Sequence, residues 1–260
     1  LAAWTNEQFD PRLNWDDVRW VKQQWSGKLI LKGIMDVEDA QLAVQSGADA
    51  IVVHKGRARS INPLHFTEMG LIIHLSAGTD LALDRTGKVL VGSVEECLRL
   101  GADAVSVHVN VGSPTEAAQL SDLGAVASAC DSLGVPLLAM MYARGPEMGS
   151  RTEMVDTLSH LAAIATDLGA DIVKLDYAGS RRAMDDVVES CPVPILVAGG
   201  PAGDTDEAAI EFGTEVARTA VAGLSFGRLI FDATDPRHVA AELSRRLHEG
   251  RVASDRKSVV

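Results

Sequence analysis

Eight short apolar runs, separated by amphipathic stretches, set the narrowest limit on what this chain can fold into. They are KLILKGI (28–34), AIVVHKG (50–56), GLIIHLSAG (70–78), AVSVHVNVG (104–112), VPLLAMMYARG (135–145), DIVKLDY (171–177), VPILVAGGP (193–201) and VAGLSFGRLIF (221–231). Near-continuous apolar runs of this length suit strands buried on both faces, which means parallel strands. The stretches between them read as helices. DVEDAQLAVQSGADA starts on an N-cap candidate, Asp36, and carries Ala40, Ala43 and Val44 at helical spacing. GSVEECLRLGADA repeats that grammar with Ser93 as its cap, and EMVDTLSHLAAIATDLGAD repeats it again.

The tripeptide GAD recurs before strands at 47–49, 101–103 and 169–171. Its glycine ends a helix at the position after the cap, and the chain then turns into the next strand. One helix for each strand, eight times over, predicts an α/β fold closed as a (β/α)8 TIM barrel, a single domain over 1–250. An open doubly wound sheet is the second candidate. It needs a G-x-G-x-x-G turn after its first strand, and KLILKGIMDVED does not supply one. LNWDDVRWVKQQWSG predicts an extra N-terminal helix over about 14–25 with Trp15, Val18, Val21 and Trp25 on or near one face, a cover for the barrel bottom or a subunit contact. The polar stretch 251–260 is expected to be a flexible tail.

The bulk numbers close off several functions. The chain has 260 residues, 47% of them apolar, enough for one sizeable core. With 24 basic against 36 acidic residues its net charge is -12, which repels nucleic-acid backbones but leaves room for a local anion pocket. Three cysteines, Cys97, Cys130 and Cys191, without CxxC spacing fit a reducing compartment and a cytoplasmic protein rather than a disulfide framework or zinc site. No run reaches the ~18 apolar residues of a membrane span, and no secretion signal is visible. The opening on Leu1, without a methionine, fits a fragment of something longer.

In a barrel of this kind the chemistry gathers at the C-terminal ends of the strands. The sixth run offers Lys174. Loss of solvation beside an apolar strand depresses an amine's pKa and leaves part of it free to attack a carbonyl. The other reading is a snorkelling lysine paired with Asp176. The fifth run offers Tyr142, whose phenol can move protons or simply pack. The seventh and eighth end in AGGP and SFGR, where Gly199, Gly200 and Gly227 would let backbone N–H groups reach phosphate oxygens and Arg228 would add a charged fork. His74 and His108 either line the pocket or are hydrogen-bonded core histidines, the second being preferred. No H-x-H or HExxH spacing points to a metal, and none is expected.

From about 52 to 250 the chain resembles the archaeal-type class I aldolases. The stretches that carry the likeness are GLIIHLSAGT, KVLVGSVEECLRLGADAVSVHVNVGS, LLAMMYARG, GADIVKLDY, CPVPILVAGGP and SFGRLIF. It is most similar to the branch that makes 2-amino-3,7-dideoxy-D-threo-hept-6-ulosonate, beside the fructose-bisphosphate aldolases. The resemblance implies that Lys174 forms a Schiff base with a keto sugar, that Tyr142 is its acid/base partner, and that the glycines of AGGP and GR hold the substrate phosphate. No cofactor and no metal are implied. The partner is a small phosphorylated sugar-like substrate, neither nucleic acid nor membrane, and the family's habit of forming rings makes a homo-oligomer possible.

Residues 1–53 are instead similar to a segment of FMN-dependent α-hydroxy acid oxidases, in which the lysine matching Lys32 lies against the flavin. The chain then continues as HKGRARS, which is aldolase-like, so the join is expected near Val53–His54 and the whole as a hybrid of two related barrels. The aldolases end their first strand in a methionine-aspartate-histidine-glycine motif whose aspartate moves protons. Here the sequence is LKGIMD, with Lys32 and Asp36 nearby, and His54 on the next strand completes the expected pocket lining. Three functions follow: a Schiff-base aldolase or transaldolase of weakened activity, an idle hybrid barrel that keeps a phosphate site, and, third, an FMN-dependent oxidoreductase.

Overall fold

The computed structural model describes residues 30–32, 50–62, 66, 70–79, 81–146, 148, 155–198 and 205–225. All eight predicted runs contribute a strand to one parallel sheet. The strands are β1 (Ile30–Lys32), β2 (Ala50–His54), β3 (Gly70–His74), β6 (Ala104–Val111), β7 (Leu137–Ala143), β8 (Ile172–Leu175), β9 (Ile195–Ala198) and β10 (Gly223–Ser225), and they lie side by side in chain order. The described helices are α1 (Lys55–Ala58), α2 (Val94–Arg99), α3 (Glu116–Leu133), α4 (Val155–Asp167), α5 (Arg181–Glu189) and α6 (Asp206–Ala217). A doubly wound sheet would reverse its strand order at a switch point. This order never reverses, so that alternative falls.

Strands β2, β3 and β6 to β9 divide their side chains by parity. Odd-numbered residues such as Ile51, Leu71, Ile73, Val105, Val107, Leu137, Ala139, Val173, Leu175 and Ile195 join the main core with helix residues such as Leu123, Leu158, Leu161 and Met184. Even-numbered Val52, Leu138, Met140, Tyr142 and Ala198 form a second cluster, with Ile72, Ile172 and Leu196 against it. On a flat sheet, the spacing of ~4.8 Å per strand would put Val52 on β2 about 14 Å from the nearest residues of β7. Their membership of one packed cluster shows that the sheet curls around the even-numbered face.

The GAD repeat earns its place at both described copies. Gly101 (φ +83°) and Gly169 (φ +94°) adopt the left-handed conformation expected after a helix cap. The N–H of Gly101 donates to Leu98 and that of Ala102 to Cys97. Gly169 and Ala170 repeat the pattern onto Thr166 and Ala165. The aspartate does more than start a strand. Asp103 Oδ2 accepts the Leu71 N–H at 2.7 Å while its own N–H donates to the Leu71 carbonyl at 2.9 Å. Asp171 makes the same two bonds to Leu137, at 2.7 and 3.0 Å. Each of these two GAD copies therefore stops a helix and ties the incoming strand to the base of its neighbour.

Ser93 caps α2 as expected, accepting the Glu96 N–H at 3.3 Å. One feature departs from the sequence reading. GLIIHLSAG is not a single strand: β3 stops at His74, and β4 (Ser76–Ala77) pairs antiparallel with β5 (Val89–Leu90). This hairpin stands at the C-terminal end of β3, and its connecting segment exposes Leu81 and Leu83. The expected N-terminal helix, the helix over 36–49 and the 251–260 tail lie outside the described residues.

Candidate active site

The even-numbered face carries apolar residues below and polar ones toward the strands' C-terminal ends. In the sheet register His108, Met140, Lys174 and Leu196 form one row, and Asn110 and Tyr142 stand opposite each other one layer higher. Lys174 lies inside β8, third of its four residues, and is only 5% exposed. Its row neighbours Met140 and Leu196 belong to the interior cluster, so the lysine shares their face. A strand places it there by parity alone, since Val173 and Leu175 must face the helices.

Tyr142 is buried on β7. The His108 ring packs against its ring at a centroid distance of 4.8 Å, and the Arg144 guanidinium lies 4.2 Å from its centroid. His74 Nδ1 is 2.8 Å from Ser106 Oγ, and its ring meets that of His54 edge-on at 5.3 Å. His54 is exposed at the start of α1. His74 and His108 are thus both hydrogen-bonded, on the even-numbered face of the sheet.

The polar neighbours were not singled out in the sequence. Asn110, 1% exposed, is 2.8 Å from His108 Nε2 through Oδ1 and donates from Nδ2 to the Thr86 carbonyl at 2.7 Å. Gln119, equally buried, accepts the Asn110 N–H at 2.8 Å and donates to the same Thr86 carbonyl at 3.1 Å. Thr86 in turn donates from its N–H and its hydroxyl to Asp84 Oδ1. Those bonds hold the Asp84 carboxyl below the usual carboxylate range. Only the N-V-G-S that follows His108 hinted at this network.

Two glycines shape the rim where β6 and β7 end. Gly112 has φ +88°, and a Cβ on Gly145 would overlap the Gly112 carbonyl, so the two backbones touch as only glycines allow.

Other expected residues fall elsewhere. Lys32 ends β1 in register with Val52, but its side chain is outside the description. Asp36, Gly199, Gly200, Gly227 and Arg228 lie outside the described residues. Asp176 sits just past β8, half-buried. Tyr177, the chain's other tyrosine at a strand end, does not join the pocket. It packs in the main core, edge-on to Phe212, and donates to Glu215 Oε1 at 2.7 Å; burial raises its pKa. Among the described residues no group of three His, Cys, Asp or Glu is placed to hold a metal ion, and no helix is long and apolar enough to cross a membrane.

Residues 27–233 match the DeoC/LacD family aldolase model. The chain belongs to this aldolase family. It is 47% identical over 200 residues to the 2-amino-4,5-dihydroxy-6-oxo-7-(phosphonooxy)heptanoate synthase of Streptomyces griseus, covering 77% of this chain and 73% of that protein. It is 43% identical over 217 residues to 2-amino-3,7-dideoxy-D-threo-hept-6-ulosonate synthase 1 of Archaeoglobus fulgidus, covering 84% of this chain and 80% of that protein. The fold is shared with an archaeal fructose 1,6-bisphosphate aldolase, at a TM-score of 0.74 and 24% identity over 90% of this aldolase chain and 100% of that one. The family match starts at residue 27 and so runs across the expected join at Val53–His54. The comparisons lend no support to an oxidase-like first segment, a hybrid barrel or an FMN site.

Proposed function

We propose that this family member is a Schiff-base-forming aldolase or transaldolase-type enzyme acting on a phosphorylated or dideoxy keto sugar. The observation that carries the proposal is the buried amine: Lys174 stands on the interior face, in one row with His108 and one layer below Tyr142. The similar proteins of Streptomyces griseus and Archaeoglobus fulgidus are named for synthesis of such sugars.

The chemistry follows from the residues. The neutral amine of Lys174 adds to the ketone carbon, and loss of water from the carbinolamine leaves an iminium. The iminium draws the electron pair of the adjacent C–C bond into an enamine as the neighbouring carbinol becomes an aldehyde. The carbinol O–H proton must leave as that bond breaks, and the enamine carbon must later gain one. The Tyr142 hydroxyl is the proposed carrier of both. In the same proposal Gly199, Gly200, Gly227 and Arg228 are the groups that hold the substrate phosphate.

Borohydride added with a keto-sugar phosphate such as fructose 1,6-bisphosphate or dihydroxyacetone phosphate is expected to fix one covalent adduct, mapped by peptide mass to Lys174 and missing from Lys174→Ala. An adduct on another lysine, or none with any keto-sugar phosphate, would overturn the proposal.

A further inference from the structure

The amide of Asn110 can be oriented from its surroundings. The Thr86 carbonyl can only accept, so the Asn110 atom 2.7 Å from it is the NH2 group. The amide oxygen therefore faces His108, and the Nε2 atom 2.8 Å away must carry the proton. Gln119 is fixed in the same way. Its oxygen accepts the Asn110 N–H, which leaves its NH2 for the Thr86 carbonyl, Ser113 Oγ and Thr115 Oγ1. A backbone carbonyl and a backbone N–H thus set the polarity of the whole chain from the loop at 86 to the imidazole.

We propose that Asn110 is a positioning residue that holds His108 as its Nε2–H tautomer. In the neutral ring Nδ1 is then an acceptor, and the ring plane is fixed where it packs on Tyr142. The kinetic part of this inference rests on the aldolase reading; the tautomer does not.

The test uses the full chain with 15N-labelled histidine and long-range 1H–15N correlation of the imidazoles, His108 being identified by its disappearance in His108→Gln. The wild-type protein is expected to show the Nε2–H pattern once the ring is neutral. Asn110→Asp should keep that pattern, and Asn110→Ala should mix the tautomers and lower kcat roughly tenfold or more while KM changes little. An Nδ1–H pattern in the wild type overturns the assignment, as does an unmixed Nε2–H pattern in Asn110→Ala. Should Asn110→Ala not fold, the wild-type and Asn110→Asp spectra still decide. An Nε2–H spectrum without any borohydride adduct would sink the aldolase reading alone, whereas an adduct with an Nδ1–H spectrum would sink this one alone.

Discussion

At Lys174 the proposed chemistry rests on strand parity: the odd-numbered neighbours on both sides face the helices and it does not. Its supposed partner can be tested apart from it. Tyr142→Phe is expected to trap the borohydride adduct still, yet to turn over about 10²–10⁴-fold more slowly; unchanged turnover would remove the tyrosine from the mechanism. The cysteines give a second test at this scale. Burial pushes the thiols of Cys97 and Cys130 up to about 11, and the two are at most 2% exposed. At pH 8 very little of either is thiolate. Iodoacetamide should therefore modify only Cys191 in the native protein, and all three after denaturation. Peptide mass mapping reads the result, and early labelling of Cys97 would contradict the packing described.

At the scale of elements, the GAD repeat was legible and so were the strands, because both leave local marks: a glycine at the helix stop and an apolar run after it. The pair of hydrogen bonds from its aspartate to the neighbouring strand was not, since Asp103 meets Leu71 and Asp171 meets Leu137 across more than thirty residues of chain. The β4–β5 hairpin and the Asn110 network escaped for the same reason, being built from partners such as Thr86 and Gln119 that are unremarkable in sequence. Asp171→Ala is expected to cost about 1 kcal/mol and to lower Tm by about 2–4 °C. Gly101→Ala should cost about 1–2 kcal/mol for its left-handed backbone, since the added Cβ meets open space. Denaturant unfolding reads both, and a neutral Gly101→Ala would mean the turn relaxes. Between α1 and α2 the carboxyl of Glu96 accepts from Lys55 Nζ at 2.9 Å and also pairs with Arg59. The Lys55 hydrogen bond, first, and the two guanidinium and ammonium charges hold Glu96 below its usual 4.5. A depressed carboxylate pKa adds stability above the unfolded value and loses it as pH falls through the folded one. The stability gap between wild type and Glu96→Gln should accordingly be present at pH 7 and shrink as the pH falls through the lowered pKa of the folded-state carboxyl; a gap that widens in acid would reverse the sign.

For the whole molecule, the strand order and the interior cluster gather the even-numbered face beneath the C-terminal rim, where Gly112 and Gly145 touch and the β4–β5 hairpin follows β3. The sequence LKGIMD, set against the aspartate motif expected from the aldolase resemblance, gives a test at this scale. If no other group replaces that aspartate, aldol cleavage is expected about 10²–10⁴-fold below the ordinary kcat range. Single-turnover rates on a phosphorylated keto sugar would check this, and a kcat of ordinary size would show that another group does the work. The alternation of odd and even positions has a further meaning for how such a protein changes over time. Two independent texts are interleaved letter by letter along β2, β3 and β6–β9. A mutation that rewrites the pocket leaves the packing against the helices in place, so new chemistry can be tried at even numbers while the odd ones keep the molecule folded.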